Sequence, residues 1–348
     1  MVVKKIRDVL AVLLAGVMTI MSVSGCGQVM PEGDVEMEKS DAIQIGFSMD
    51  SFLIERWQRD RDLFVSKAQE LGAEVNVQNA NGEVDKQISQ IEYFIEKEMD
   101  VIVIVAIDGN VLSEVVEKAK KAGIKVIAYD RLILDADVDL YISFDNRRVG
   151  ELMGEYLREA LGDEGTVICI NGSPTDNNVS FVFSEFKKAL QGSGITIDRT
   201  GYADNWLAEI GFDFVSEYLA EGNVPDGIMC GNDDIATQVV KALSENRLAG
   251  QVYVTGQDAD LVACQRIVEG TQYMTVYKPI ELLAQRAAEM AVAMAKDEVP
   301  ETEDTIYDGT YEVPFEKLEP VGVTKENMDE VIIGKYHQKG DVYLNVQE

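Results

Sequence analysis

Histidine is all but missing from this chain of 348 residues, with His337 its only representative. A zinc site of ordinary composition, or a triad built on an imidazole base, is nearly excluded on that ground. Basic residues are thin as well: 31 Lys and Arg face 62 Asp and Glu, for a formal net charge of −31. Such a surface lacks the clustered cations that a phosphate backbone requires, so nucleic acid is not an expected partner. Of the four cysteines, Cys169, Cys230 and Cys264 sit in apolar strand or helix contexts that suit buried thiols better than a disulfide framework. No run of the GxGxxG or GxxxxGK type occurs, so neither a phosphate cradle nor a nucleotide cofactor is indicated.

The start of the chain follows its own pattern. Lys4, Lys5 and Arg7 precede an apolar run, 9–23, that is too short and too early for a membrane span and has the form of a secretory signal. It ends in Val23-Ser24-Gly25-Cys26, which is similar to a bacterial lipobox, where the cysteine becomes the lipid-bearing first residue. The expectation is a lipoprotein signal over 1–25, lipidation at Cys26, and an acidic tether over 26–41. The folded body would then be exported and anchored on the outer side of the cytoplasmic membrane, at a cell surface or in a periplasm. An ordinary signal with a chance cysteine is the plainer alternative.

The chain as a whole is 46% hydrophobic and 27% charged, and the length left from residue 43 onward suits a soluble body of two lobes. Apolar, β-branched strands at 43–47, 75–78, 101–105 and 124–128 alternate with helices at 55–71, 84–98 and 111–122. After a short strand at 140–143 the alternation resumes: helices at 149–161, 181–191, 206–220, 235–245 and 261–269, strands at 166–170, 195–201, 227–230, 252–255 and 273–277. The fold class predicted is α/β, two doubly wound parallel-sheet lobes. A helix over 280–295 is expected to cross back to the first lobe, and an extended stretch near 305–313 to return, giving a hinge of three crossovers. The lobes predicted are 42–144 plus 279–305, and 145–278 plus 306–348.

Open parallel sheets hold ligands outside the carboxyl ends of their strands. Arg56, Trp57, Asp130 and Arg131 fall there in the first lobe; Asp176, Asn178, Trp206, Asn232, Asp258 and Lys278 fall there in the second. Carboxylates beside planar multi-donors, with one indole from each lobe to cover a C–H face, suit a polyhydroxylated ring such as a monosaccharide. Three cations against three carboxylates favour a neutral one over a sugar phosphate or an amino acid. Each residue also has a plainer reading. Trp57 is spaced with Phe64 and Leu71 as helix core, and Arg56 suits a solvated helix face. Asp130 and Arg131 could pair with each other, Asp176 to Asn178 and Asn232 with Asp233 suit turns and helix caps, and Lys278 an ordinary loop. No catalytic constellation stands out, and no metal-ligating set.

The motifs ERWQRDRD (55–62), AYDR (128–131), YISFDN (141–146), GSPTDNN (172–178), GND (231–233), TGQDADL (255–261) and GTQYMTVYKPI (270–280) run in order through the chain. With them it resembles the D-xylose-binding receptors of bacterial ABC importers, within the type I periplasmic sugar-binding proteins, from about residue 43 to 337. The resemblance implies that the ten residues above contact a pyranose, that two lobes close over one sugar, and that the closed form docks on a permease driven by a separate ATPase. It implies a monomer without cofactor. Ser48, Ser51 and Phe52 depart from the family's first loop, which leaves another pentose or a hexose as an alternative ligand. A receptor that also feeds chemotaxis is compatible. A sugar-responsive regulator would need a basic helix-turn-helix head where the signal and tether stand, and an enzyme would have to show turnover.

Overall fold

The computed structural model describes residues 42–346 except 53, 55 and 300; the apolar N-terminal run, Cys26 and the tether lie outside the described residues. The first lobe runs β1 (Ile43–Met49), α1 (Arg56–Glu70), β2 (Ala73–Asn79), α2 (Val84–Glu96), β3 (Val101–Ile104), α3 (Ser113–Lys121), β4 (Lys125–Tyr129) and β5 (Leu140–Phe144). The chain then enters the second lobe through α4 (Asn146–Leu161), β6 (Glu164–Asn171), α5 (Asn177–Ala189), β7 (Gly194–Tyr202), a 3-10 turn at Asp204–Trp206 and α6 (Glu209–Ala220). It continues through β8 (Gly227–Cys230), α7 (Asp233–Glu245), β9 (Tyr253–Gln257), α8 (Leu261–Glu269) and β10 (Met274–Tyr277). Helix α9 (Ile280–Ala295), β11 (Asp304–Tyr307) and β12 (Glu312–Leu318) follow, then β13 (Val321–Val323) and two single-turn helices, α10 (Met328–Val331) and α11 (Lys339–Val342).

The first sheet has seven strands in the order β11-β12-β5-β4-β3-β1-β2, the second six in the order β13-β10-β9-β8-β6-β7. All neighbours pair in parallel except β11 with β12 and β13 with β10. Strands such as β3, VIVI, are buried along their whole length because helices cover both faces, hence their unbroken apolar runs. Helix α9 does cross back: Leu283, Ala284, Ala287, Ala288 and Ala291 share one core with Phe47, Phe64 and Ile142 of the first lobe.

The return differs from the expectation. The stretch expected to re-enter the second lobe at 306 instead forms a hairpin on the edge of the first sheet, with Phe315 opposite Tyr141. The third passage comes at Glu319–Pro320, between β12 and β13. Two helix starts differ too. Asp145 and Asp176 cap α4 and α5 by accepting from Arg147 and Asn178 backbone N–H, so each helix begins several residues before its first apolar turn. Trp206 lies outside α6, in a left-handed turn at φ 57°. Cys169, Cys230 and Cys264 are buried free thiols.

Candidate functional site

Between the carboxyl ends of the two sheets lies a cavity lined by side chains of both lobes. Every one of the ten residues singled out from the sequence lines it. Arg56 and Trp57 come from the first turn of α1, and Asp130 and Arg131 from the end of β4. Asp176 and Asn178 come from the start of α5, Trp206 from its turn, Asn232 from the cap of α7, Asp258 from the end of β9 and Lys278 from the end of β10. Trp57 is both things the sequence allowed: it packs with Phe64 in the core and presents its indole to the cavity. Asn232 likewise caps α7, accepting from Ile235 N–H at 2.9 Å, while lining the cavity.

The charges are buried and interlocked. Arg56 is 3% exposed and reaches Asp60 at 3.2 Å, Asp130 at 2.9 Å and, across the cleft, Asp258 at 3.6 Å. Asp258 also holds Lys278 at 2.6 Å. Arg131 bonds Asp50 at 2.7 Å in its own lobe and Asp176 at 2.9 Å in the other. Asp130 and Arg131 therefore do not pair as a surface bridge; each takes a different partner. Burial alone would raise the Asp130 carboxyl, but Arg56, Lys278 and Arg131 more than offset it and hold it below the ordinary carboxylate value. Burial dominates at Asp176, whose carboxyl lies above its ordinary value despite Arg131.

Several contributors escaped the sequence reading. Asp50 follows β1 directly, and Asp60 sits four residues after Arg56 on α1, a spacing that joins side chains on one helix face. Asn171 and Gln257 are the last residues of β6 and β9, so the strand-end rule reaches them as well. Each donates its amide N–H to a backbone carbonyl, of Gly201 and Gly231 respectively, leaving its oxygen buried without a partner among the described residues. The indole N–H groups of Trp57 and Trp206 are buried and unpartnered in the same way. Ile54, Val179, Val182 and Met229 supply an apolar wall. Ser48, Ser51 and Phe52 do not line the cavity: Ser48 bonds Gln87 and Gln90, and Phe52 lies under the Arg61 guanidinium.

The arrangement holds acceptors, donors and two aromatic faces, with no histidine and no metal-ligating cluster among the described residues. A family model described as a periplasmic binding protein domain matches residues 45–298. The chain is 45% identical over 310 residues to a D-xylose-binding periplasmic protein of Haemophilus influenzae, covering 87% of this chain and 93% of that protein. It is 44% identical over 306 residues to the protein of the same description in Escherichia coli K12, with coverages of 86% and 92%. Among solved structures, an ABC transporter solute-binding protein from Clostridium phytofermentans with bound β-D-glucose superposes with a TM-score of 0.78 at 30% identity, covering 86% of this chain and 99% of that one.

Proposed function

The chain belongs to the periplasmic binding protein domain family, and from that premise we propose that it is an exported, non-catalytic receptor that takes one neutral monosaccharide, D-xylose first among candidates, into the interlobe cavity for an ABC importer. One observation supports this most. The cavity joins hydrogen-bonding groups of both lobes around a charge set in which every cation already has a carboxylate partner: Arg56, Arg131 and Lys278 pair with Asp130, Asp176 and Asp258 on the lining and with Asp50 and Asp60 behind it. With carboxylates in excess, a phosphate or carboxylate on the ligand meets repulsion, whereas hydroxyls can both donate to the acids and accept from the guanidinium and indole N–H groups. The 45% and 44% identities to D-xylose-binding proteins favour xylose within that class. The two indoles, one from each lobe, would cover the C–H faces of the ring.

Closure follows from binding, since a ligand favours the closed state only through contacts with both lobes at once. A single chain presenting the closed face to a permease, with a separate ATPase supplying energy, is the corresponding delivery step. The lipobox-like segment supports anchoring through Cys26. Isothermal calorimetry of the exported body against D-xylose, other pentoses, hexoses and a sugar phosphate tests the reading. One-to-one binding of xylose with no response to the phosphate is expected; failure of every neutral monosaccharide to bind overturns it.

A further inference from the structure

Outside the cavity the lobes also touch directly, along a seam formed by the segment before α5 and the loops after β3 and β4. The Thr175 hydroxyl donates to the Ile107 carbonyl at 3.2 Å, and Gly109 N–H donates to the Thr175 carbonyl at 3.4 Å. The Asn177 side-chain amide donates to the Leu132 carbonyl at 3.3 Å. The fit is tight enough that a Cβ on Gly109 would stand 2.6 Å from the Asn177 amide nitrogen and 2.4 Å from the Leu132 oxygen. Neither Thr175 nor Asn177 lines the cavity. The seam is nevertheless tied to it. Ser173 bonds the Thr175 hydroxyl at 2.9 Å and accepts from Asn205 N–H at 3.2 Å, the residue before Trp206.

We propose that Thr175 and Asn177 are closure-positioning residues that set sugar affinity without touching the sugar. Their bonds exist only when the lobes meet, so they hold a share of the ligand-free molecules closed. Apparent affinity scales with that share, because a ligand that needs the closed form pays for whatever closure the protein does not supply itself. A neutral hydrogen bond exchanged with water moves such an equilibrium by roughly three- to tenfold.

The proposal rests on the sugar-receptor reading, and its test separates the two. The Thr175→Ala/Asn177→Ala double variant is expected to bind xylose about tenfold or more weakly, mainly through faster dissociation. The same factor should apply to every other sugar bound, with the ligand-free melting temperature unchanged. Thr175→Ser, which keeps the hydroxyl, should restore its part. Small-angle scattering without any sugar should show the double variant more expanded than the natural chain. Unchanged affinity, a factor that varies from sugar to sugar, or identical ligand-free scattering overturns the proposal. If the natural chain binds no sugar, the functional reading falls, while the ligand-free scattering still decides the seam.

Discussion

The backbone carbonyl of Asp130 receives three donors: the Asn178 amide at 2.8 Å, the Ser143 hydroxyl at 2.6 Å and the Tyr141 hydroxyl at 3.0 Å. Asp130 itself stands at φ 65°, Asp258 at φ 98° and Trp206 at φ 57°, left-handed conformations that non-glycine side chains adopt at a cost. That three cavity residues share them shows how firmly the surrounding bonds define the site. Behind it, Asp233 is fully buried and accepts from Gln272 at 2.8 Å, Thr275 at 2.7 Å and the Asp260 N–H at 3.2 Å. Burial pushes its carboxyl up to about 7, with the positive charge of Arg266 opposing. The folded chain therefore keeps a proton that the unfolded chain releases near the ordinary carboxylate value. This contribution to stability is fully present below about pH 4 and is lost as pH rises through about 7. Denaturant unfolding across that window should show Asp233→Asn flattening the profile of the natural chain; superimposable profiles would rule the retained proton out. Sequence alone offered Asn232 and Asp233 equally as caps, because both types suit that position. Only packing separates the cavity-lining Asn232 from the Asp233 buried behind it.

Among the elements, strand existence and order of appearance were legible because buried parallel strands have no polar face to blur them. The starts of α4 and α5 were not, since polar first turns carry no apolar period; a cap reading was open at Asp176, but only its bond to the Asn178 N–H separates a cap from a plain turn residue. The Trp206 turn shows the same limit, a loop whose shape is fixed from outside its own sequence. Its ring lies flat against Gly172 after β6, where an added Cβ would stand 2.1 Å from the indole Cη2. Gly172→Ala should therefore displace the indole and weaken xylose binding, at about 1–3 kcal/mol for a forced methylene in a packed site. Calorimetry checks it, and undiminished affinity would show that the indole's seat does not matter to the ligand.

For the whole molecule, the ten residues named from the strand-end rule and the family motifs all reach the cavity, because loops at one sheet edge converge whatever their sequence separation, while its apolar wall and the Asn171 and Gln257 amides were not read. The hinge could be read only in part. An extended stretch such as 304–318 fits any free sheet edge, and local pattern cannot choose between two. The proposed lipid anchor is also a property of the entire chain. Cys26→Ser should shift the protein from the membrane fraction to the soluble exported fraction in the bacterial host, whereas persistence in membranes would point to an uncleaved signal. On the far side of α1, Arg59 stacks 4.3 Å over Tyr336 and donates to its carbonyl, while the His337 Nε2 lies 2.8 Å from the carbonyl of Ala259, next to Asp258. One imidazole in the entire chain means one set of ring-proton resonances in a magnetic resonance spectrum. Because that ring touches the backbone beside Asp258, its resonances should shift as sugar is added, a readout of occupancy that needs no added dye.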